Sequence, residues 1–305
     1  MQTHFRENNR IKIQPLLLLL AALIWGIAFV AQSDGAKAVQ PFTFNAVRSA
    51  LAVTVLLPLV IVRRRKNKSI PRADSGYRRR LAAASLICGM LLSAATFLQQ
   101  YAISYVETGK CGFLTALYIV LVPLILMAGG KLPGRNVAVG VVLAVCGLYF
   151  LCIKEGSPVS RYDGMLVLCA LLFAFQIITI GRYRGDGIEL SLGQFIVCTV
   201  SSAIGMLFFE KPDASGIAGA LLPLMYSGIM SSGVAYTLQI VGMKGMNPTA
   251  ASLLMSMESV FSVLAAWLFQ KQYLSGRELA GCVLMFCAIV LVQIPAGKQE
   301  RKTKK

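Results

Sequence analysis

GMLLSAATFLQQ, residues 89–100, and GIMSSGVAYTLQ, residues 228–239, are two versions of one phrase. At a constant offset of 139, Gly89 meets Gly228, Ser93 meets Ser232 and Gln100 meets Gln239. Further on, GVVLAVC from Gly140 matches GCVLMFC from Gly281, with Cys146 against Cys287. The offset there is 141, so the second copy carries two extra residues, expected in loops. A duplicated block of membrane helices is the plan of many secondary transporters, whose substrate site lies where the repeats meet.

Working outward, the chain is 56% hydrophobic and 14% charged, with a mean hydropathy of +0.68. Soluble domains carry about 25% charged residues, so most of this surface is not made for water. A spanning helix needs roughly 20 apolar residues. Ten stretches qualify, near 13–32, 41–62, 81–104, 109–129, 135–153, 163–181, 190–209, 216–239, 247–269 and 276–294. The expected fold is an all-α integral membrane protein of ten transmembrane helices in two five-helix repeats, 13–153 and 163–294. Residues 1–12 and 295–305 are left as cytoplasmic tails. Five is odd, so the second copy enters from the opposite side and the repeats are inverted. The halves join near SPVSRYDG, residues 157–164. Pro58, Pro123 and Pro223 fall inside predicted spans, where each removes a backbone hydrogen bond and is a candidate hinge.

The net charge of +17 is placed by topology. With the N-terminus in the cytoplasm, the inner segments hold 22 basic residues and the outer ones 7. That is the positive-inside rule with both termini cytoplasmic. The run from Arg63 to Arg80 then reads as a topology anchor at the lipid surface, not as a nucleic-acid site. The apolar stretch after Lys12 resembles a signal peptide, but nine further spans favour its retention as the first helix. Eight cysteines lie almost wholly in apolar stretches without a C-x-x-C pair, and the single histidine, His4, lies in the N-terminal tail. These features argue against a metal centre, a disulfide framework or a cofactor.

Charged groups inside apolar spans are the best pointers to function, because each costs about 2.5–3.5 kcal/mol at a helix centre. Glu258 sits near the middle of the ninth stretch and can bind a proton, a cation or an amine. The alternative is a structural interhelical hydrogen bond. Arg48 lies about 10 Å into the second helix. It can bind an anionic group, pair with a carboxylate such as Glu258, or snorkel to the interface. Neutral polar and aromatic groups in the spans need partners or water. They include Trp25, Asn45, Ser93, Thr96, Gln99, Gln100, Tyr118, Gln176, Gln194, Tyr236 and Gln239. Gln100 and Gln239 stand out because the repeat makes them equivalent. Glu107 and Lys110 fall at outer helix ends and read as interfacial.

The strings LIWGIAFVAQ (23–32), PFTFNAVRSAL (41–51), FLQQYAISYVETGKCGFLTALYIVLVP (97–123) and NPTAASLLMSMESVFSVLAAWLF (247–269) resemble the EamA-type branch of the drug/metabolite transporter superfamily. The resemblance covers residues 13–294. It departs from the branch pattern at Ser259, where a proline is usual, and at QKQ (270–272), where an acidic residue is common. It implies a central cavity open to one side at a time. It also implies transport of a small metabolite such as an amino acid, often export, driven by proton or substrate exchange. Trp25, Arg48 and Glu258 are motif positions in this reading.

The function expected is therefore a secondary active transporter in the plasma membrane. Its partners are a small-molecule substrate, the lipid bilayer and a proton as candidate coupling ion, in a monomer or homodimer. A channel and a lipid-modifying enzyme are the alternatives. The enzyme would need a nucleophile, base or metal cluster that the sequence does not supply. No Walker-type phosphate loop is present.

Overall fold

The computed structural model describes residues 2–66, 74–106, 108–130, 133–153, 160–270 and 275–293, and among these every regular element is helical. Part of the join at 157–164, the centre of the basic run, Glu107 and the C-terminal tail lie outside the described residues. The long helices are α1 (Gln2–Gly35), α2 (Pro41–Lys66) and α3 (Ser75–Ala102). Next come α4 (Thr108–Ala116), α5 (Tyr118–Ala128), α6 (Arg135–Cys152), α7 (Arg161–Arg182) and α8 (Gly187–Phe209). The stretch after α8 comes in pieces: α9 (Ala214–Gly219), α10 (Leu221–Met225), a π-helical segment (Tyr226–Ala235) and α11 (Tyr236–Gly242). The chain then forms α12 (Pro248–Met255), α13 (Glu258–Gln270) and α14 (Gly276–Gln293).

Among the described residues, seven stretches are long and apolar enough to cross a membrane: α1 from Ile13, α2, α3, Lys110–Ala128, α7, α8 and Pro248–Phe269. Large apolar side chains such as Leu86, Ile87 and Met90 on α3 and Leu207 and Phe208 on α8 face outward. In lipid that outward face is solvated and backbone pairing is satisfied within each helix. The chain is thus a multi-span helical membrane protein.

Helix starts follow local chemistry. Asp186 accepts the Ile188 and Glu189 N–H groups at 2.9 and 3.1 Å, and Asn247 accepts that of Thr249 at 2.9 Å with Pro248 next to it. These are donors that a helix cannot satisfy internally. The first turn of α2 is capped from afar. The Glu210 carboxylate, at the end of α8, accepts the N–H groups of Phe42 and Thr43 and the Thr43 hydroxyl at 2.7–2.8 Å.

Small residues set the packing. A Cβ on Gly89 would come within 2.5 Å of the Val197 Cβ, which fixes how closely α3 lies on α8. On Gly228 it would meet the Leu51 Cβ at 2.6 Å, and on Gly147 the Gly281 carbonyl oxygen at 2.9 Å. These contacts join the π segment to α2 and α6 to α14. Gly89 and Ser93 on α3, and Ser227, Gly228, Ser231, Ser232 and Gly233 in the π segment, are buried as expected of contact faces. Ala82, Ala83 and Ala94 point outward instead.

Two of the three predicted prolines do not interrupt their helices, whereas Pro223 lies in the first turn of α10, three residues after the break at Ala220. Pro58 lies within the continuous α2 and Pro123 within α5. The helices break instead at Leu117 and at Ser256–Met257, and the 216–239 stretch breaks at Ala220 and widens into the π segment.

Candidate functional site

The two breaks face each other. Tyr118 is the first residue of α5 and Glu258 the first of α13, each immediately after its break. The Tyr118 hydroxyl donates to the Glu258 Oε1 at 2.9 Å. Glu258 is the eleventh of the 22 residues in Pro248–Phe269, so the pair sits about midway along its span. An offset of 140 relates these two positions.

Around them lies a cavity. Its walls are Trp25, Phe29 and Gln32 from α1, Arg48 from α2, Gln99 from α3 and Thr115 and Tyr118 from α4 and α5. The remaining lining is Phe173 and Ile177 from α7, Ser231, Tyr236, Gln239, Met255 and Glu258. The cavity has a volume of about 40 Å³. The site is therefore narrow, with free room for a few waters.

Arg48 is 3% exposed and Glu258 6%, so neither snorkels. The Arg48 Nη1 donates to the Gln32 Oε1 at 3.0 Å. Among the described residues no ion pair joins Arg48 to Glu258. The cation and the carboxyl share one cavity, each held by a neutral group. Among the described residues, the Trp25 Nε1, the Arg48 Nε and the Gln239 Oε1 have no hydrogen-bond partner. These two donors and one acceptor are buried atoms of residues that line the cavity. The Trp25 and Tyr236 rings meet edge-on with centroids 4.8 Å apart, and Phe195 backs Tyr236 at 5.4 Å, fixing the aromatic wall.

Of the expected site residues, Glu258, Arg48, Trp25, Tyr118, Tyr236 and Gln239 come together here. Gln100 does not. Its side chain is fully buried behind the wall, where Nε2 donates to the Gln32 carbonyl at 3.1 Å. Its neighbour Gln99 lines the cavity and donates to the Thr115 Oγ1 at 3.3 Å. The cause is the π segment. A wide turn absorbs one extra residue and rotates everything after it by about 100°. Gln239 then matches Gln99 at the same offset of 140 that relates Tyr118 to Glu258. One of the two extra residues of the second copy thus falls in a helix, not in a loop. Asn45 also stays out of the cavity, buried on α2 with no partner among the described residues for either side-chain polar atom. Gln176 and Gln194 bond to each other at 3.3 Å away from it. Gln32 and Thr115 were missed. Gln32 had a signal, because Trp25, Phe29 and Gln32 follow i, i+4, i+7 on one helix face.

Both ends of the molecule are tied. At one end, Arg64 reaches both Glu189 oxygens at 2.7 and 2.9 Å, the Tyr77 hydroxyl donates to Glu189 at 2.8 Å, and Arg63 lies 3.2 Å from Asp186. At the other end, the Lys110 Nζ meets the Asp163 Oδ2 at 2.8 Å and Tyr105 stacks on Tyr162 at 4.4 Å. Lys110 is thus a paired group joining α4 to α7.

Comparison with known proteins decides the family. The EamA-like transporter family matches residues 12–153 and again 161–294. The chain belongs to that family. It is 26% identical over 286 residues to an uncharacterized transporter of Archaeoglobus fulgidus, covering 91% of this chain and 84% of that one. It is 24% identical over 292 residues to Protein PecM of Dickeya dadantii, covering 93% and 94%. An uncharacterized transporter of Bacillus subtilis, YoaV, is 20% identical over 284 residues, with 90% and 94% covered. A protein solved by crystallography superposes with a TM-score of 0.73 at 18% identity over 92% of this EamA chain and 96% of its own, a likeness of fold.

Proposed function

We propose that this EamA protein is a secondary active transporter of a small zwitterionic metabolite, such as an amino acid or a close relative, working by alternating access. One observation carries the reading: a buried guanidinium and a buried carboxyl line a single cavity without pairing. Buried charges left unmatched are costly. A ligand with a carboxylate and an ammonium group matches both, its carboxylate on Arg48 and Gln32 and its ammonium on Glu258. Trp25, Tyr236 and Phe173 enclose the side chain. Glu258 exchanges a proton when no ammonium is present, which couples substrate to proton movement. Export is the direction that the family resemblance implies.

The architecture in this reading is ten spanning helices in two inverted repeats, 13–153 and 163–294, in the plasma membrane with both termini in the cytoplasm. The packing supports it. Exchanging the first five spans for the second five maps the largest helix contacts onto one another: α3 on α7 corresponds to α1 on α11, and α3 on α8 to α2 on the π segment. Contacts of α6 with α14 and of α2 with α8 map to themselves. Discontinuous helices around a midplane site recur in transporters, and the breaks at Leu117 and Ser256–Met257 fit that plan. α6, with 18 residues, is about 27 Å long, close to the hydrocarbon thickness.

Proteoliposomes holding a pH dye test the proposal when challenged with amino acids, amines, sugars and nucleosides. Saturable proton movement driven by zwitterions, and absent in Glu258→Gln, is expected. A response to sugars or nucleosides alone would overturn the substrate class. Labelled substrate exchanging without proton movement would remove the proton coupling.

A further inference from the structure

Away from the cavity, at the end tied by Arg64 and Glu189, a groove of about 750 Å³ runs between α3, α7 and the loop that follows α7. Its floor on α3 is Ala83, Ala84 and Ile87, one face with Arg80 at i, i+3, i+4 and i+7. Ile87 is half exposed, so the floor is apolar and open to the surroundings. The rim carries Arg80, Arg182, Arg184 and Lys244.

Three of the four rim cations have no ion pair among the described residues. The rim's one carboxylate, Asp186, already pairs with Arg63 and caps α8. Arg80 stands 3.9 Å from Asp74 on the outer surface. Arg182, Arg184 and Lys244 make no ion pair or hydrogen bond through their side chains with any described residue. They come from two segments distant in sequence, the end of α7 and the turn after α11. From Arg80 to Ile87 is about 10 Å along the helix. That is a basic rim one to two turns above an apolar floor.

We propose that this groove binds an anionic glycerophospholipid, with its phosphate and headgroup among Arg182, Arg184 and Lys244 and an acyl chain along Ala83 and Ile87. Charge complementarity selects the anion, and the floor selects a lipid over a free phosphate. Bound there, the lipid joins α3, α7 and the end of α11 at the end where Glu189 holds α2, α3 and α8 together. Basic pockets between membrane helices recognise headgroups in this way.

Native mass spectrometry of the full chain in detergent tests it, with dioctanoyl phosphatidylglycerol, dioctanoyl phosphatidylcholine and glycerol 3-phosphate as probes. One phosphatidylglycerol should bind at least tenfold more tightly than phosphatidylcholine, and glycerol 3-phosphate should not displace it. Arg182→Gln, Arg184→Gln and Lys244→Gln should each weaken binding about fivefold. The combination R65Q/K66Q/R79Q, exposed basic residues outside the groove, should leave it unchanged. Equal binding of phosphatidylcholine, displacement by glycerol 3-phosphate, or equal loss in both sets of variants would each overturn the proposal. The comparison of probes on the parent protein stands even if a variant fails to fold.

Discussion

Arg48 and Glu258 each occupy a position that costs about 2.5–3.5 kcal/mol to fill with a charged group, and each is held by one neutral partner, Gln32 or Tyr118. Removing a hydrogen bond to a charged group costs about 1.5–3 kcal/mol, roughly ten- to a hundredfold in an equilibrium. In the proposed mechanism Arg48→Gln therefore weakens the apparent affinity for a carboxylate substrate by about that factor, as concentration dependence of uptake will read. Arg48→Lys keeps the charge but loses the planar fork, and should recover only part of the affinity. Tyr118→Phe leaves the Glu258 carboxyl without its donor and should slow substrate-driven proton movement about tenfold or more, with the melting midpoint little changed. Ser259 stands where the family usually has proline, and its hydroxyl donates to the Gly112 carbonyl at 3.3 Å, so it ties α13 to α4.

Elements pack here by close approach of backbones, and glycine decides where. Gly228→Leu drives a side chain into Leu51 and the Arg48 carbonyl, and should lower the melting midpoint in detergent by several degrees while distorting the wall that carries Arg48. Gly164 on α7 is exposed with nothing within 4 Å, so Gly164→Ala should stabilise by up to about 1 kcal/mol. The apolar stretches and the repeated small-residue phrase were legible because lipid exposure and backbone contact both dictate residue type. Arg48 and Glu258 were legible because charge in an apolar run is costly. The breaks at Leu117 and Ser256–Met257 were not, since neither contains glycine or proline. They lie where two helices cross at the cavity. Gln100 was chosen over Gln99 for a related reason. The π turn that shifts the helical phase leaves no mark in a residue-by-residue alignment of the copies. Glu189 and Glu210 lie at helix ends, where a charge costs little and gives no signal, yet one anchors Arg64 and Tyr77 and the other caps α2.

At the scale of the whole molecule, each end is tied by an ion pair, so in the proposed mechanism alternating access releases one tie at a time. Asp163→Asn removes a charged partner of Lys110 and should speed hydrogen exchange around 108–112 and 160–164 while leaving 60–66 and 187–190 protected. Glu189→Gln should do the reverse. Loosening of both ends by either change would argue against two separate gates. The most direct test of the central claim is counterflow in proteoliposomes with an amino acid, its amide and its N-acetyl derivative, using the parent, Arg48→Gln and Glu258→Gln. The account predicts that the parent carries only the zwitterion well, that Arg48→Gln no longer favours the acid over its amide, and that Glu258→Gln no longer favours the free amine over its N-acetyl form. Equal transport of all three solutes by all three proteins would contradict it.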